Sequence, residues 1–194
     1  MNLLQKAKFN SLQKKARKFY EIRQGQHSGN PDIAAEIKLH YELAEFYKDH
    51  RFDKEVPQAE IYEFESYRLI AILGDIKAQY LCGEKLLEKG RFWESMAQTL
   101  YTCQAHNKYA YEAYKEGLTY LETAEQNGYS PAKRLRGLAF MHGWGLPKDY
   151  DLGFNLIVAS IEEEQAWDKA KEILQSLGLN ASEFFAKLAA KKSS

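Results

Sequence analysis

Bulky apolar residues recur at steps of three and four along most of the chain, and long alternating β-branched runs are absent. Leu, Ala, Lys, Glu and Gln dominate the segments between glycines and prolines, and these are good helix formers. The pattern predicts an all-α chain of about ten helices with short connections, arranged as stacked antiparallel hairpins. A first helix spans Leu3–Gln24, with Phe9, Leu12, Ala16, Phe19 and Tyr20 on one face. A break follows at Gly25, His27, Ser28 and Gly29. Asn30-Pro31-Asp32 reads as an N-cap, a first-position proline and a first-turn acid. That helix runs to Asp49 and is expected to bury Ile33, Ile37, Tyr41, Ala44 and Phe46 or Tyr47. Pro57 opens a third, carrying Ile61, Phe64, Tyr67, Leu69 and Ile72, and Gly74-Asp75 ends it.

Further on, Ala78–Lys89 is stopped by Gly90, and Phe92–His106 and Tyr109–Asn127 follow. Pro131–His142 is closed by Gly143, and Asp149 caps a helix through Glu163. Trp167–Leu177 is closed by Gly178, and Asn180 with Glu183 has capping-box spacing for a last helix.

Two echoes run through these helices. Gly117-Leu118-x-Tyr120-Leu121 returns as Gly153-Phe154-x-Leu156-Ile157, 36 residues later. Ala78 and Gly83 return as Ala132 and Gly137 at an offset of 54. Helical units recurring at about 20–50 residues indicate a solenoid, because each hairpin buries its face on the next. Gly137 and Gly153 in helix interiors need a packing reason, since each costs about 0.5–1 kcal/mol against alanine. Their missing side chains predict a close helix–helix approach there.

Ala132, Gly137, Phe140, Gly143-x-Gly145-Leu146 and Asp149 resemble one unit of the Sel-one-like repeats, relatives of the tetratricopeptide repeats. Gly74, Ala78, Gln79, Tyr80 and Gly83 resemble the junction into another unit, as do Ala124 to Gln126, Gly128 and Ser130-Pro131-Ala132. The resemblance covers about residues 74–169, and Lys89-Gly90-Arg91 stands where the earlier unit would carry its loop. It implies a short α-solenoid in which residues 1–73 form an N-terminal helical region and residues 74–194 a repeat region with C-terminal capping helices. It also implies a protein-binding adaptor or scaffold, many bacterial members of the family serving secretion, envelope or host-interaction systems.

Charge narrows the function classes. Lys plus Arg and Asp plus Glu each number 27, so the formal net charge is zero. A general nucleic-acid binder, which neutralises phosphates, is thereby disfavoured. The zero sum hides a split: residues 1–26 carry seven bases against one acid, and residues 27–76 eleven acids against five bases. The basic helix, with Lys14, Lys15, Arg17 and Lys18, is expected either to pack beside the acidic helices or to dock on an acidic protein. An anionic lipid surface is the weaker branch, for want of bulky anchors.

Chemistry-bearing motifs are sparse. The five histidines form no His-Glu-x-x-His pattern, and the two cysteines have no zinc spacing. His40 with Glu42 and Glu45 reads as a solvated face. No cofactor or metal is implied. An enzyme using His40 or His142 is the competing class, and a structural subunit of a larger assembly is the third. Cys82 and Cys103 are expected at similar height on either side of a turn near Arg91, as thiols. The start, Met1–Asn10, is charged, and the longest apolar run is Leu69–Leu73, so a soluble cytoplasmic protein is expected.

Aromatic residues make up 13% of the chain, and most should fill interhelix space. Four positions are binding candidates: Trp144 between two turn glycines, Trp93 at a helix start, Trp167 near a turn, and Tyr109. Trp144 is expected to stay partly exposed, and the alternative is that it folds back over Phe140.

Overall fold

The computed structural model describes residues 1–26, 30–100 and 104–192. They form nine α-helices and one 3₁₀ turn, with no strand among the described residues. The helices are α1 (Leu3–Arg23), α2 (Ile33–Asp49), α3 (Ala59–Ile72), α4 (Ile76–Leu100) and α5 (Gln104–Gln126). Then come α6 (Ser130–His142), α7 (Tyr150–Glu163), the 3₁₀ turn Trp167–Lys169, α8 (Ala170–Ser176) and α9 (Ala181–Lys192). No helix of the described residues is long and apolar enough to cross a membrane. The chain packs as two units, Met1–Lys85 and Leu86–Ser194.

In the first unit α1, α2 and α3 pack as successive antiparallel neighbours. Leu12 joins Leu39, Leu43, Phe46, Tyr47, Val56 and Ala59 in one core, with Phe9, Ala16 and Phe19 closing it from α1. Phe9 stacks on Phe46 at 4.7 Å between ring centroids. The charge split is used here. Arg23 donates to both oxygens of buried Glu36, and Lys6 donates to Glu55 at 2.7 Å. The basic helix therefore docks on the acidic segment at both its ends.

Several local expectations are corrected. The cap of α2 is Asp32, whose side chain accepts from the Ala35 N–H at 3.0 Å, so Asn30 lies outside the helix. α3 opens at Ala59 behind Gln58, which takes a positive φ of 62°. Its buried face is Glu63, Ser66, Tyr67, Ile70 and Ala71, while Ile61, Leu69 and Ile72 are exposed. α2 likewise exposes Ile33 and instead buries Leu39, His40 and Leu43. His40 is thus not on the solvated face that carries Glu42 and Glu45.

The larger correction concerns Gly90. It does not stop a helix, because α4 runs unbroken from Ile76 to Leu100. A Cβ at Gly90 would run into the ring of Tyr114 on α5. The glycine lets two helices meet and has nothing to do with a turn. This also removes the turn near Arg91 on which the Cys82–Cys103 geometry rested. Cys82 is buried, and Cys103 lies outside the described residues, as do His27, Ser28 and Gly29.

In the second unit the reading holds closely around α6 and α7. Gly143 ends α6 with a φ of 78°, and the Asp149 side chain caps α7 by accepting from the Leu152 N–H at 2.9 Å. Gly137 and Gly153 face each other across the α6–α7 contact. Salt bridges from Lys133 to Glu163 and from Arg134 to Glu164 fix the far end of this antiparallel pair. Phe154, Ile157 and Ile161 of α7 then pack on Ala170, Leu174 and Phe184. Asn180 caps α9 and hydrogen-bonds Glu183 through its side-chain amide at 2.9 Å.

Candidate protein-binding site

Within the second unit, α4 presents Leu86, Lys89 and Trp93 at spacings of three and four. α5 presents Tyr109, Glu112, Ala113 and Glu116 at the same spacings. Gly90 allows the two helices to close up, and the buried Tyr114 hydroxyl donates to Glu94 Oε2 at 2.6 Å across the contact. Burial, then that carboxylate acceptor, pushes the Tyr114 phenol well above its ordinary value.

The seven residues named line an open cleft of about 290 Å³. Its floor is apolar, since Leu86 and Ala113 are buried. One end is aromatic. Trp93 lies 5.3 Å from Tyr109 and stacks on His106, also at 5.3 Å with 14° between planes. Phe92 meets Trp93 edge-on at 5.2 Å. Tyr109 keeps 49% of its surface exposed, so this aromatic end faces solvent. Lys89 and Glu112 form an exposed polar rim. An apolar floor, accessible aromatic rings and a mixed-charge rim make a surface that can bury a partner's side chain.

The other candidates fall elsewhere. Trp93 sits in the middle of α4 and not at a helix start, which is why it can share a cleft with Tyr109. Trp144 is half-buried and lies against His142, at 4.9 Å and 14°, with the Arg91 guanidinium 4.8 Å from its centroid. It rests on this pair and not on Phe140. Burial first, then the charges of Lys148 and Arg91, lower the His142 pKa from its ordinary value. Trp167 packs against the α7–α8–α9 core. On α1, Lys14, Lys15 and Lys18 are exposed, and Arg17 bonds Glu21 at 2.9 Å.

Sequence reasoning missed His106, Glu94 and Arg91 as neighbours of these aromatics. No sequence signal brings them together, because their placement rests on the Gly90–Tyr114 contact between α4 and α5.

A second cavity of about 390 Å³ is lined by His142, Lys148, Tyr150, Leu179, Glu183 and Phe184, among others. Lys187 lies 4.1 Å over the Tyr150 ring at its side. Among the described residues no group of three His, Cys, Asp or Glu side chains is placed to hold a metal ion.

Comparison with family models, with curated proteins and with solved structures finds no match to this chain.

Proposed function

We propose that the chain is a protein-binding adaptor or scaffold built as a short Sel-one-like α-solenoid, and that the α4–α5 cleft receives its partner. The observation that carries this reading is the Trp93–Tyr109 pair, half-buried and exposed respectively, over an apolar floor. Tyr and Trp supply much contact area at low entropic cost, which is why they recur at binding hot spots.

The repeat assignment draws support from three features that depend on one another. Gly137 and Gly153 allow close helix packing, Gly143 and Gly145 take positive φ in the turn, and Asp149 caps the second helix. Three of the echoed pairs are buried at both positions, Gly117 with Gly153, Leu121 with Ile157 and Ala78 with Ala132, whereas Leu118 is half-buried where Phe154 is fully buried.

The test is affinity capture with mass spectrometry, using the full chain and its Trp93→Ala and Tyr109→Ala variants side by side. A reproducible protein partner lost with both variants, each retaining the wild-type helical spectrum, is the expected result. Partner capture indifferent to both substitutions would move the site away from the cleft. Turnover of a substrate panel without a partner would replace the adaptor with an enzyme.

A further inference from the structure

The first unit carries a surface that neither the core nor the ion pairs of α1 use. Projected at 100° per residue, residues 3–19 of α1 divide into two faces. Phe9, Leu12, Ala16 and Phe19 point into the α1–α2 core. On the opposite side an arc of roughly 140° holds Leu3, Leu4, Ala7, Lys8, Ser11, Lys14, Lys15 and Lys18. The arc contains no acid. Glu21 lies at its edge, beside Arg17.

The internal pairing of α1 draws on other cations. Lys6 and Arg23 meet Glu55 and Glu36, and Arg17 meets Glu21. Lys8, Lys14, Lys15 and Lys18 are exposed and hold no ion pair among the described residues. At the N-terminal end of the same arc Leu3 and Leu4 are 86% and 82% exposed. A positive strip about 15 Å long thus runs beside two solvated leucines.

We infer that this outer face of α1 docks on an anionic phospholipid surface, as a second interaction site independent of the cleft. Residue type decides the partner class. Protein interfaces are depleted in Lys and enriched in Arg and aromatics, and this arc has four lysines, no arginine and no aromatic. Lysines near an anionic leaflet each gain from its potential, and leucines enter the boundary between headgroups and acyl chains. Ala7 and Ser11 are small, so the strip can lie flat on a flat surface. The apolar face of α1 stays in the core, so contact is peripheral and reversible.

The experiment is co-sedimentation of the full chain with vesicles of phosphatidylcholine alone and with about 30% phosphatidylserine, at low and high salt. Binding is expected only with phosphatidylserine and should fall steeply as salt screens the lysines. Lys14→Gln, Lys15→Gln and Lys18→Gln together should weaken it about a hundredfold, at about fivefold per lysine. Leu3→Ser with Leu4→Ser should weaken it further, with the melting temperature of both variants unchanged. Equal binding to both vesicle types, no binding to either, or full retention by the triple variant overturns the inference. Binding to poly-glutamate without binding to vesicles overturns it in favour of an acidic protein. Since salt dependence is read on the wild-type chain, an unstable variant does not remove the test.

Discussion

The Gly153 Cα faces the Gly137 main chain so closely that a side chain at either position would collide with the other's carbonyl oxygen. A Cβ at Gly137 would stand 2.7 Å from Gly153 O and 2.9 Å from Ile157 Cγ1. The first contact cannot be relieved by turning a flexible side chain, because it is with backbone. Gly137→Ala or Gly153→Ala would gain about 1 kcal/mol in helix propensity. Overpacking costs about 1–3 kcal/mol and here forces α6 and α7 apart. Both variants are expected to be less stable in urea denaturation, and a midpoint equal to or above wild type would show that the two helices can separate freely.

A buried, doubly ion-paired carboxylate ties the stability of the first unit to pH. Glu63 on α3 is buried between Arg51 at 2.8 Å and Lys85 at 2.9 Å. Burial alone would raise its pKa, but hydrogen bonds from Lys85 and Arg51 outweigh burial and hold it below its ordinary 4.5. Because the folded value is the lower one, this stabilisation is present above pH 4.5 and disappears as pH falls through the folded value. Glu63→Gln keeps the shape and strands two cations, so a loss of about 3 kcal/mol at neutral pH is expected. The same variant should flatten the acid limb of the stability–pH curve, and an unchanged limb would assign acid unfolding to other carboxylates.

How far the sequence showed the fold depended on whether local chemistry or packing chose the conformation. Asp149 and Gly143 work through their own backbone neighbours, so cap and stop could be read from the residues themselves. Gly90 could not, because a mid-helix glycine and a terminating glycine look alike until Tyr114 is placed against it. The buried face of α3 was misjudged for a related reason. Ile61, Leu69 and Ile72 form a plausible apolar stripe, but the ion-paired Glu63 faces inward and rotates that stripe outward. At the candidate site Trp93 and Tyr109 were legible as candidate binding aromatics, and their proximity was not, since it rests on the same Gly90 contact.

His40 offers a second pH readout in the first unit. It is buried on α2, and its Nδ1 has no hydrogen-bond partner. Burial lowers its pKa below 6.5, against the opposing pull of Glu36 and with a smaller push from Arg23. A lowered folded value means the unfolded chain takes the proton first, so stability declines as pH drops below 6.5 toward the folded value. NMR titration of the His40 imidazole in the folded chain should give a midpoint below 6.5. A midpoint at or above 6.5 would mean that the buried ring is solvated.

Two kinds of cation on α1 should behave differently on mutation. Arg23→Ala leaves Glu36 buried without its guanidinium, and a loss of about 1–3 kcal/mol is expected. Lys14→Gln, Lys15→Gln and Lys18→Gln touch only solvent and should each stay within about 0.5 kcal/mol of wild type. Urea midpoints for the four variants check the contrast. Equal losses across all four would mean that the middle of α1 is also held electrostatically.

Trp144 shares one stack with His142 and Arg91, which gives it a readout that needs no partner. The indole covers the imidazole at 4.9 Å, and burial is the largest cause of the lowered His142 pKa. Trp144→Ala removes that cover while Arg91 and Lys148 remain. The His142 midpoint should therefore move up toward 6.5 without reaching it, because both cations still oppose protonation. The guanidinium contact lies on a half-buried ring, so its loss should cost about 1 kcal/mol. A His142 midpoint that stays put would show that the ring is shielded by the α6–α9 cavity wall and not by the indole. If the variant also keeps its melting temperature and loses a captured partner, the turn from Gly143 to Asp149 belongs to the binding surface. If it melts far earlier, Trp144 serves instead to hold that turn against α4.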